Sequence, residues 1–245
     1  MTEKTAGDVS IVVPAYAEEH RIGPAVRALC AYAREFPRLR EVLVVVEPSG
    51  DRTVEAAREA AGGDPLVKVI ENAEHRGKGF AVRTGMLGAS GEVIFFMDAD
   101  LSVPLRFVAP FVAHLDAHPK AAAAIGNRRH PSSVISKRQH FLRERAGRGF
   151  NHLVRALGLS PSKDTQCGFK AFRRAAAREI FSRAQIDGFA FDAEILLLAQ
   201  KSGLRVDELP VEWINDQHTK FHPVRDGWRS LCDLLRVRRL VGRAQ

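Results

Sequence analysis

Short runs of β-branched residues alternate with amphipathic helical segments through the N-terminal part of the chain, and this alternation limits it to few folds. Val9–Val13 and Val42–Val46 are two such runs. Between them, at 18–36, apolar positions recur at helical spacing. The same order returns as a helix at 52–61, a strand at 66–70, a helix at 78–89 and a strand at 93–97. This alternation predicts a doubly wound, mostly parallel α/β sheet with crossover helices.

The rest of the chain is less regular, but no Gly/Ser-rich or Pro-rich linker separates two cores. We therefore expect a single domain over residues 1–245. The elements predicted there are helices at 104–117, 136–157, 173–184 and 190–202, strands at 121–126, 168–172 and 205–211, and a C-terminal helix from about 223.

A pair of aspartates follows the fourth predicted strand, at the carboxyl end where sheets of this kind bind ligands. Asp98-Ala99-Asp100 comes directly after the apolar run 93–97. An extended backbone sends residues i and i+2 to one side, so we expect both carboxylates to face one Mg²⁺ or Mn²⁺ ion. The alternative interpretation is a pair of solvated loop acids. A motif this short is weak evidence for a metal site, because acids are common in loops.

A glycine-rich segment, His75-Arg76-Gly77-Lys78-Gly79, opens the predicted helix at 78–89. Backbone N–H groups and Lys78 would then lie at the positive end of a helix, which suits phosphate. The segment lacks the spacing of a nucleotide-hydrolysing P-loop. A glycine turn with a surface lysine is the alternative.

Positive charge is concentrated in two stretches of the chain. The 37 Lys and Arg residues exceed the 29 Asp and Glu residues, for a formal net charge of +8. Residues 125–155 contain eight Lys/Arg and one acid, and residues 220–245 contain seven and two. This predicts a local anionic partner such as a phosphate or a membrane surface. Nucleic acid is disfavoured, because a chain with only two Trp and two Tyr residues lacks the aromatic platform expected for binding single strands.

The cellular context follows from the cysteines and the N-terminus. Three widely spaced cysteines without a CxxC pair favour neither a disulfide framework nor a structural zinc site. The N-terminus is polar, and apolar runs fall far short of the roughly 20 residues that span a bilayer. We expect a cytoplasmic protein, with possible peripheral contact at the inner face of the membrane.

Several motifs in order resemble glycosyltransferase family 2, in particular its dolichyl-phosphate β-glucosyltransferase and polyprenyl-phosphate mannosyltransferase branch. The matching segments are 9–19 (VSIVVPAYAEE), 76–86 (RGKGFAVRTGM), 98–102 (DADLS), 164–172 (DTQCGFKAF), 187–194 (DGFAFDAE) and 209–213 (LPVEW). The chain departs from the family's usual pattern at Ala17, where Asn is usual, and at the shorter loop Glu47-Pro48-Ser49-Gly50-Asp51.

The resemblance implies a GT-A fold and inverting transfer from a nucleotide-diphosphate sugar, with UDP-glucose favoured, using Mg²⁺ or Mn²⁺. It implies a nucleotide-binding half at 1–103, an acceptor-side half at 104–222 and a basic helix at 223–245. Donor-binding roles fall on Pro14, Ala15, Tyr16, Glu18, Glu47, Lys78, Asp98 and Ala99, and Arg128 and Lys220 would approach donor or acceptor phosphates. Metal binding falls on Asp98 and Asp100, and catalytic roles fall on Asp164, Asp100 and Gln166. If the acceptor is a hydroxyl, Asp164 must accept its proton; a phosphate acceptor needs no strong base.

The implied acceptor is a polyprenyl phosphate reached from the membrane surface. Residues 138–157 fit this, because they predict an amphipathic helix with a basic face, although a helix packed on the body explains the pattern equally well. Two alternatives stay open: a glycosyltransferase acting on a small-molecule acceptor, and a non-catalytic protein that binds sugar nucleotides. The oligomeric state is left open.

Overall fold

A computed structural model describes residues 7–137, 149, 154, 162, 164–214 and 232–237. Seven strands form one sheet in the order β3-β2-β1-β4-β7-β5-β8, and β6 pairs with β9 in a separate two-stranded ribbon. The strands are β1 Val9–Ala15, β2 Leu39–Val46, β3 Val67–Glu71, β4 Val93–Met97, β5 Ala121–Asn127, β6 Val134–Lys137, β7 Phe169–Arg173, β8 Arg205–Pro210 and β9 Glu212–Ile214. The helices are α1 Ile22–Glu35, α2 Thr53–Ala61, α3 Lys78–Gly88, α4 Val108–Ala117, α5 Arg174–Phe181 and α6 Phe191–Lys201.

The sheet is mostly parallel, as the sequence predicts, and β7 is its reversed strand. Ile11 of β1 lies between Val42 of β2 and Phe95 of β4 in parallel register. The seventh strand runs antiparallel to both β4 and β5, its neighbours in the sheet. Because β7 is reversed, its N-terminal end lies at the same edge as the carboxyl end of β4, where Phe169 pairs with Met97.

Both faces of the sheet are covered by helices, which explains the continuous apolar runs of the strands. Val12 and Phe96 belong to one buried cluster, whereas their neighbours Ile11 and Phe95 belong to the other. Gly85 lets α3 pack closely on β1, since a Cβ there would lie 2.3 Å from Val12 Cγ1. The close packing fixes the start of α3 beside the carboxyl ends of the strands.

Most predicted elements are confirmed with boundaries that differ by up to four residues: α1 begins at Ile22 and not at 18, β2 at Leu39 and not at 42, and α4 at Val108 and not at 104. The differences in the kind of element lie beyond β5. The helix expected from residue 136 is preceded by β6, which occupies Val134–Lys137, and the short strand β9 was not expected. A β-pair between such short segments depends on tertiary contact, which residue periodicity does not report. Residues 138–157 lie outside the described part except for 149 and 154, which are helical, as are 232–237.

Within the described ranges, no helix is both long and apolar enough to cross a membrane. The division into nucleotide-binding, acceptor-side and C-terminal parts stays a prediction.

Candidate active site

Asp98 and Asp100 lie in a tight turn at the carboxyl end of β4, and not in the extended segment that the sequence analysis assumed. The Leu101 N–H donates to the Asp98 carbonyl at 3.1 Å, which closes the turn. The Ser102 N–H donates to Asp100 Oδ1 at 2.9 Å. Leu101 has φ of 48°, a strained value for a bulky residue. The expected proximity of the two carboxylates therefore depends on this turn.

The Asp98 carboxylate is held from two sides. Lys78 Nζ lies 2.6 Å from Asp98 Oδ1. Behind the carboxylate is Gly168, where a Cβ would lie 2.1 Å from Asp98 Oδ2. Any larger residue at 168 would displace Asp98, which explains the glycine directly before β7.

The two aspartates leave an excess of negative charge at this edge. Burial raises the pKa of Asp100, and the neighbouring Asp98 raises it further. Burial opposes the charge on Lys78, but Asp98, with Asp192 and Asp100, raises the pKa of that lysine above its ordinary value. Two close carboxylates compensated by one ammonium are a donor set that fits a hard divalent ion.

No group of three or more His, Cys, Asp or Glu side chains gathers in a metal-binding arrangement in the part of the chain that the structure covers. A metal ion bound by Asp98 and Asp100 would therefore need further ligands that are not His, Cys, Asp or Glu side chains of the described residues, such as phosphate oxygens or water.

Arg128, which is partly buried, and Asp164, which is buried, form an ion pair on the other side of β7. Arg128 Nε donates to Asp164 Oδ2 at 2.8 Å, Nη2 donates to Oδ1 at 2.7 Å, and the Arg128 N–H donates to Oδ2 at 2.9 Å. Burial alone would raise the pKa of Asp164, but Arg128 lowers it. A fully engaged carboxylate with a lowered pKa is a weak proton acceptor. The structure therefore places Asp164 as the partner that orients Arg128, in contrast to the proton-accepting role considered above.

Arg128 itself faces the site. Its guanidinium carbon lies 5.4 Å from the centre of the Trp213 ring, and the negative charge of Asp98 contributes to its raised pKa. The Gln166 Nε2 atom is buried and has no hydrogen-bond partner among the residues that the structure describes. An unsatisfied buried amide N–H is destabilising unless something accepts from it. Gln166, which the sequence predicts to orient a substrate, thus has an N–H group that a substrate oxygen could accept from.

Lys170 and Asp192 form a second ion pair, in which both side chains are buried and which was not predicted from the sequence. Lys170 Nζ donates to Asp192 Oδ1 at 2.5 Å and to the Cys167 carbonyl at 2.6 Å. The signal was present, because a lysine inside the apolar strand β7 is buried only with a charged partner. The partner could not be identified, since 22 residues separate the two positions.

An aromatic pair lies at the ends of β1 and β3. The Tyr16 and His75 rings stack at 4.0 Å between centroids, with 16° between planes. Glu47 is buried at the end of β2, and His75 Nδ1 lies 2.6 Å from Glu47 Oε2. A direct contact of Glu47 with a nucleotide therefore stays a prediction. Glu47 instead holds His75, which lies at the surface. The pairing of His75 with Glu47 was not predicted, because it depends on a contact between residues 28 positions apart.

The start of α3 is not the free phosphate cradle that the sequence suggested. The Gly77 N–H donates to Glu47 Oε2 at 2.9 Å, and the Gly79 N–H donates to the Asp187 carbonyl at 2.7 Å. Lys78 is the group of this segment that reaches the acidic turn.

The other predicted positions have these places. Pro14 and Ala15 are buried in β1, and Ala99 is buried inside the acidic turn. Glu18 accepts from Arg21 Nη2 at 2.7 Å, and its N–H donates to Thr53 Oγ1 at 2.7 Å, so it joins the first loop to α2. Lys220 lies outside the described residues. The binding roles of all these residues stay predictions.

Comparisons with known proteins identify the family to which the chain belongs. The family model described as glycosyl transferase family 2 matches residues 10–181. The dolichyl-phosphate beta-glucosyltransferase of Drosophila melanogaster is 35% identical over 96% of this chain and 76% of its own length, and that of Homo sapiens is 33% identical over the same shares. Dolichyl-phosphate beta-glucosyltransferase ALG5C of Trichomonas vaginalis is 35% identical over 83% of this chain, which spans 63% of that protein.

Solved structures share the fold at lower identity. Glucosyl-3-phosphoglycerate synthase from Mycobacterium tuberculosis, in complex with Mn²⁺, UDP and phosphoglyceric acid, superposes with a TM-score of 0.72 at 18% identity, over 96% of this chain and 80% of that one. Mannosyl-3-phosphoglycerate synthase from Rubrobacter xylanophilus gives 0.70 at 19% identity, over 97% and 75%.

Proposed function

This chain belongs to glycosyl transferase family 2, and from that premise we propose that it transfers glucose from UDP-glucose to a polyprenyl phosphate, with inversion at the anomeric carbon. The proposal rests on one observation above all. The acidic turn of Asp98 and Asp100 lies at the same sheet edge as two cations, Lys78 and Arg128. The names of the relatives in Drosophila melanogaster and Homo sapiens support glucose and a lipid phosphate.

In the proposed reaction, an oxygen of the acceptor phosphate attacks the anomeric carbon of glucose. The bond from that carbon to the diphosphate oxygen breaks, and UDP leaves with the bonding electrons. Asp98 and Asp100 would hold a Mg²⁺ or Mn²⁺ ion, which supplies positive charge against the departing diphosphate when it is bound. Lys78 adds charge to the same diphosphate, and because that charge grows in the transition state, Lys78 lowers the barrier.

The state of Asp164 supports a phosphate acceptor over a hydroxyl acceptor. A hydroxyl has to lose its proton during attack, whereas a phosphate monoester is already an anionic nucleophile. Asp164 was the candidate base, and its oxygens are engaged with Arg128. In our proposal Arg128 binds the acceptor phosphate, and Gln166 offers its unpaired N–H to a substrate oxygen.

The ribbon of β6 and β9 supports a lipid acceptor over a small-molecule one. Val134, Ile135 and Ile214 are large apolar side chains exposed on it. The Ile214 N–H donates to the Ser102 carbonyl at 2.8 Å, which ties the ribbon to the acidic turn. Apolar side chains beside a phosphate-binding arginine suit a molecule with a charged head and a hydrocarbon chain. Action at a membrane surface is part of the same proposal.

The test is a transfer assay with labelled UDP-glucose and a polyprenyl phosphate, in which labelled lipid is extracted into organic solvent. We expect product only when both a divalent ion and the phosphate are present. The matched control is the corresponding polyprenol without phosphate. Equal transfer to the polyprenol, or transfer to no phosphate acceptor of any kind, would overturn the proposal.

The two alternatives have their own outcomes. Transfer to a small phosphorylated acid in preference to prenyl phosphate would favour a small-molecule acceptor. UDP-glucose binding without any turnover would favour a non-catalytic binding protein.

A Val134→Ser/Ile214→Ser double variant tests the lipid acceptor separately. We expect it to raise KM for a long prenyl phosphate by about tenfold, which corresponds to roughly 1.4 kcal/mol of lost apolar contact. The KM for a short analogue should stay unchanged.

A further inference from the structure

We propose that Lys78 is a built-in counter-cation for Asp98, and that its displacement couples the binding of the divalent ion to the binding of the donor. The inference rests on the proposed function, because it concerns the same edge. The chain would bind the ion weakly by itself and much more tightly with the nucleotide diphosphate present.

The first step is that Lys78 already holds one oxygen of Asp98. Lys78 Nζ lies 2.6 Å from Asp98 Oδ1. The carboxylate lies against Gly168, where a Cβ would be 2.1 Å from Oδ2 and 2.9 Å from Oδ1, so the carboxylate cannot retreat to that side. A divalent ion on Asp98 would therefore lie next to the ammonium, and because the two cations repel strongly, binding of the ion favours displacement of Lys78.

The second step concerns where the displaced ammonium can go. Asp192 attracts Lys78, but this carboxylate is buried and already holds Lys170 at 2.5 Å. Asp100 is the other nearby acid, and it is the second expected ligand of the ion. Among the described residues around Lys78, no carboxylate is thus left to neutralise the displaced lysine once the ion is bound.

The third step is that the donor supplies the missing charge. A nucleotide diphosphate brings negative oxygens to the ion, and Lys78 can turn from Asp98 to those oxygens. Ion binding alone leaves the ammonium uncompensated, whereas ion and diphosphate together compensate it. Each ligand therefore raises the affinity of the other, since coupling between two sites is reciprocal.

The experiment is a thermodynamic cycle for Mn²⁺ and UDP on the full chain. Free Mn²⁺ is followed by electron paramagnetic resonance, and its Kd is measured with and without saturating UDP. Lys78→Met is compared with Lys78→Arg, which keeps the charge, and with Lys68→Met. Lys68 is an exposed lysine that pairs with Glu41 at 2.8 Å, away from the acidic turn. Circular dichroism checks that each variant is folded.

We expect Lys78→Met to tighten Mn²⁺ binding in the absence of UDP by about tenfold, and to reduce the coupling factor by at least about fivefold. Lys78→Arg and Lys68→Met should keep most of the coupling. The affinity of UDP for Mn²⁺ in free solution enters every cycle equally, so it cancels in the comparison of variants.

The outcomes separate this inference from general electrostatics and from the proposed function. If Lys78→Met tightens Mn²⁺ binding equally with and without UDP, the coupling is unchanged and the inference is overturned. An unchanged Kd, or an equal effect of Lys68→Met, also overturns it. In each case the proposed function stands. If the unaltered chain binds neither Mn²⁺ nor UDP, the proposed function is overturned and this inference with it.

Discussion

Two carboxylate centres at one edge of the sheet have opposite electrostatic states. The Asp164 side chain is 1% exposed, and Arg128 pairs with both of its oxygens, so its pKa is lowered. The Asp98 side chain is 36% exposed and pairs with Lys78. Burial raises the pKa of Asp100, and the charge of Asp98 raises it further. The Asp164 carboxylate is compensated within the protein, whereas the acidic turn retains charge that a ligand can satisfy.

Backbone strain lies at the same edge of the sheet. The two non-glycine residues with positive φ in the described ranges are Ala17, at 54°, and Leu101, at 48°. Ala17 follows the carboxyl end of β1, and Leu101 belongs to the segment after β4. Strained backbone is common at functional sites. In the proposed function, Asp98 and Asp100 serve binding, whereas Asp164 holds Arg128.

The largest expected effect is the loss of turnover on removing an ion ligand. Asp100→Asn should lower kcat by roughly a thousandfold, or about 4 kcal/mol, because the departing diphosphate loses its compensating charge. Its fold should stay intact, since Asn keeps the side-chain oxygen that accepts from the Ser102 N–H and the substitution removes a partly buried charge. The transfer assay and Mn²⁺ binding measure this, with Asp116→Asn, at an exposed ion pair with Arg38, as the control. An unchanged rate would remove Asp100 from the site.

At the Arg128–Asp164 pair we expect the opposite behaviour, because removal of its carboxylate should mainly reduce stability. Asp164→Ala should lower the free energy of unfolding by about 2–3 kcal/mol, because it leaves the partly buried Arg128 charge without its partner. Urea denaturation measures the loss. A decrease below about 1 kcal/mol would mean that water or another group compensates Arg128, and that the two centres do not differ as described.

Acidification should separate the two centres in the same sample. Because the pKa of Asp100 is raised above 3.8, protons compete with Mn²⁺ at a pH where an ordinary aspartate is still ionised. Because the pKa of Asp164 is lowered below 3.8, its stabilising contribution is present above that value and is lost only as the pH falls through the lower one. Mn²⁺ binding should therefore weaken before the chain unfolds.

The measurement is Mn²⁺ affinity beside the circular dichroism signal, between about pH 7 and about pH 4. Loss of both in a single step would contradict the assignment of opposite shifts.

The smallest effect is expected at the strained residue Ala17. Asn tolerates the left-handed region better than Ala, so Ala17→Asn should raise the free energy of unfolding by about 1 kcal/mol. Ala17→Val is the matched opposite, because a β-branched residue at positive φ is more strained. Thermal unfolding of the two variants shows the effect. A destabilised Asn variant would mean that the side chain at 17 meets a contact that the backbone angle does not report.

The sequence by itself determined the first half of the fold and the acidic pair. The alternation of β-branched runs and helical segments is local, and β1 to β4 followed it within a few residues. The position of Asp98 was equally local, because an apolar strand that ends in acids puts them at the ligand-binding edge. The family was also identified from motifs in order, and the comparisons confirm it.

Only the tertiary structure decided how the charges at that edge are paired. The reversal of β7 brings Gly168 against Asp98, and it places Gln166 and Asp164 at the same edge. The pairs Arg128–Asp164, Lys170–Asp192 and Glu47–His75 join residues 36, 22 and 28 positions apart. Residue spacing reports which face a side chain takes, but the free energy of a buried charge depends on a partner that packing alone selects. For that reason Asp164 and Asp100 looked alike in the sequence and differ in the folded chain.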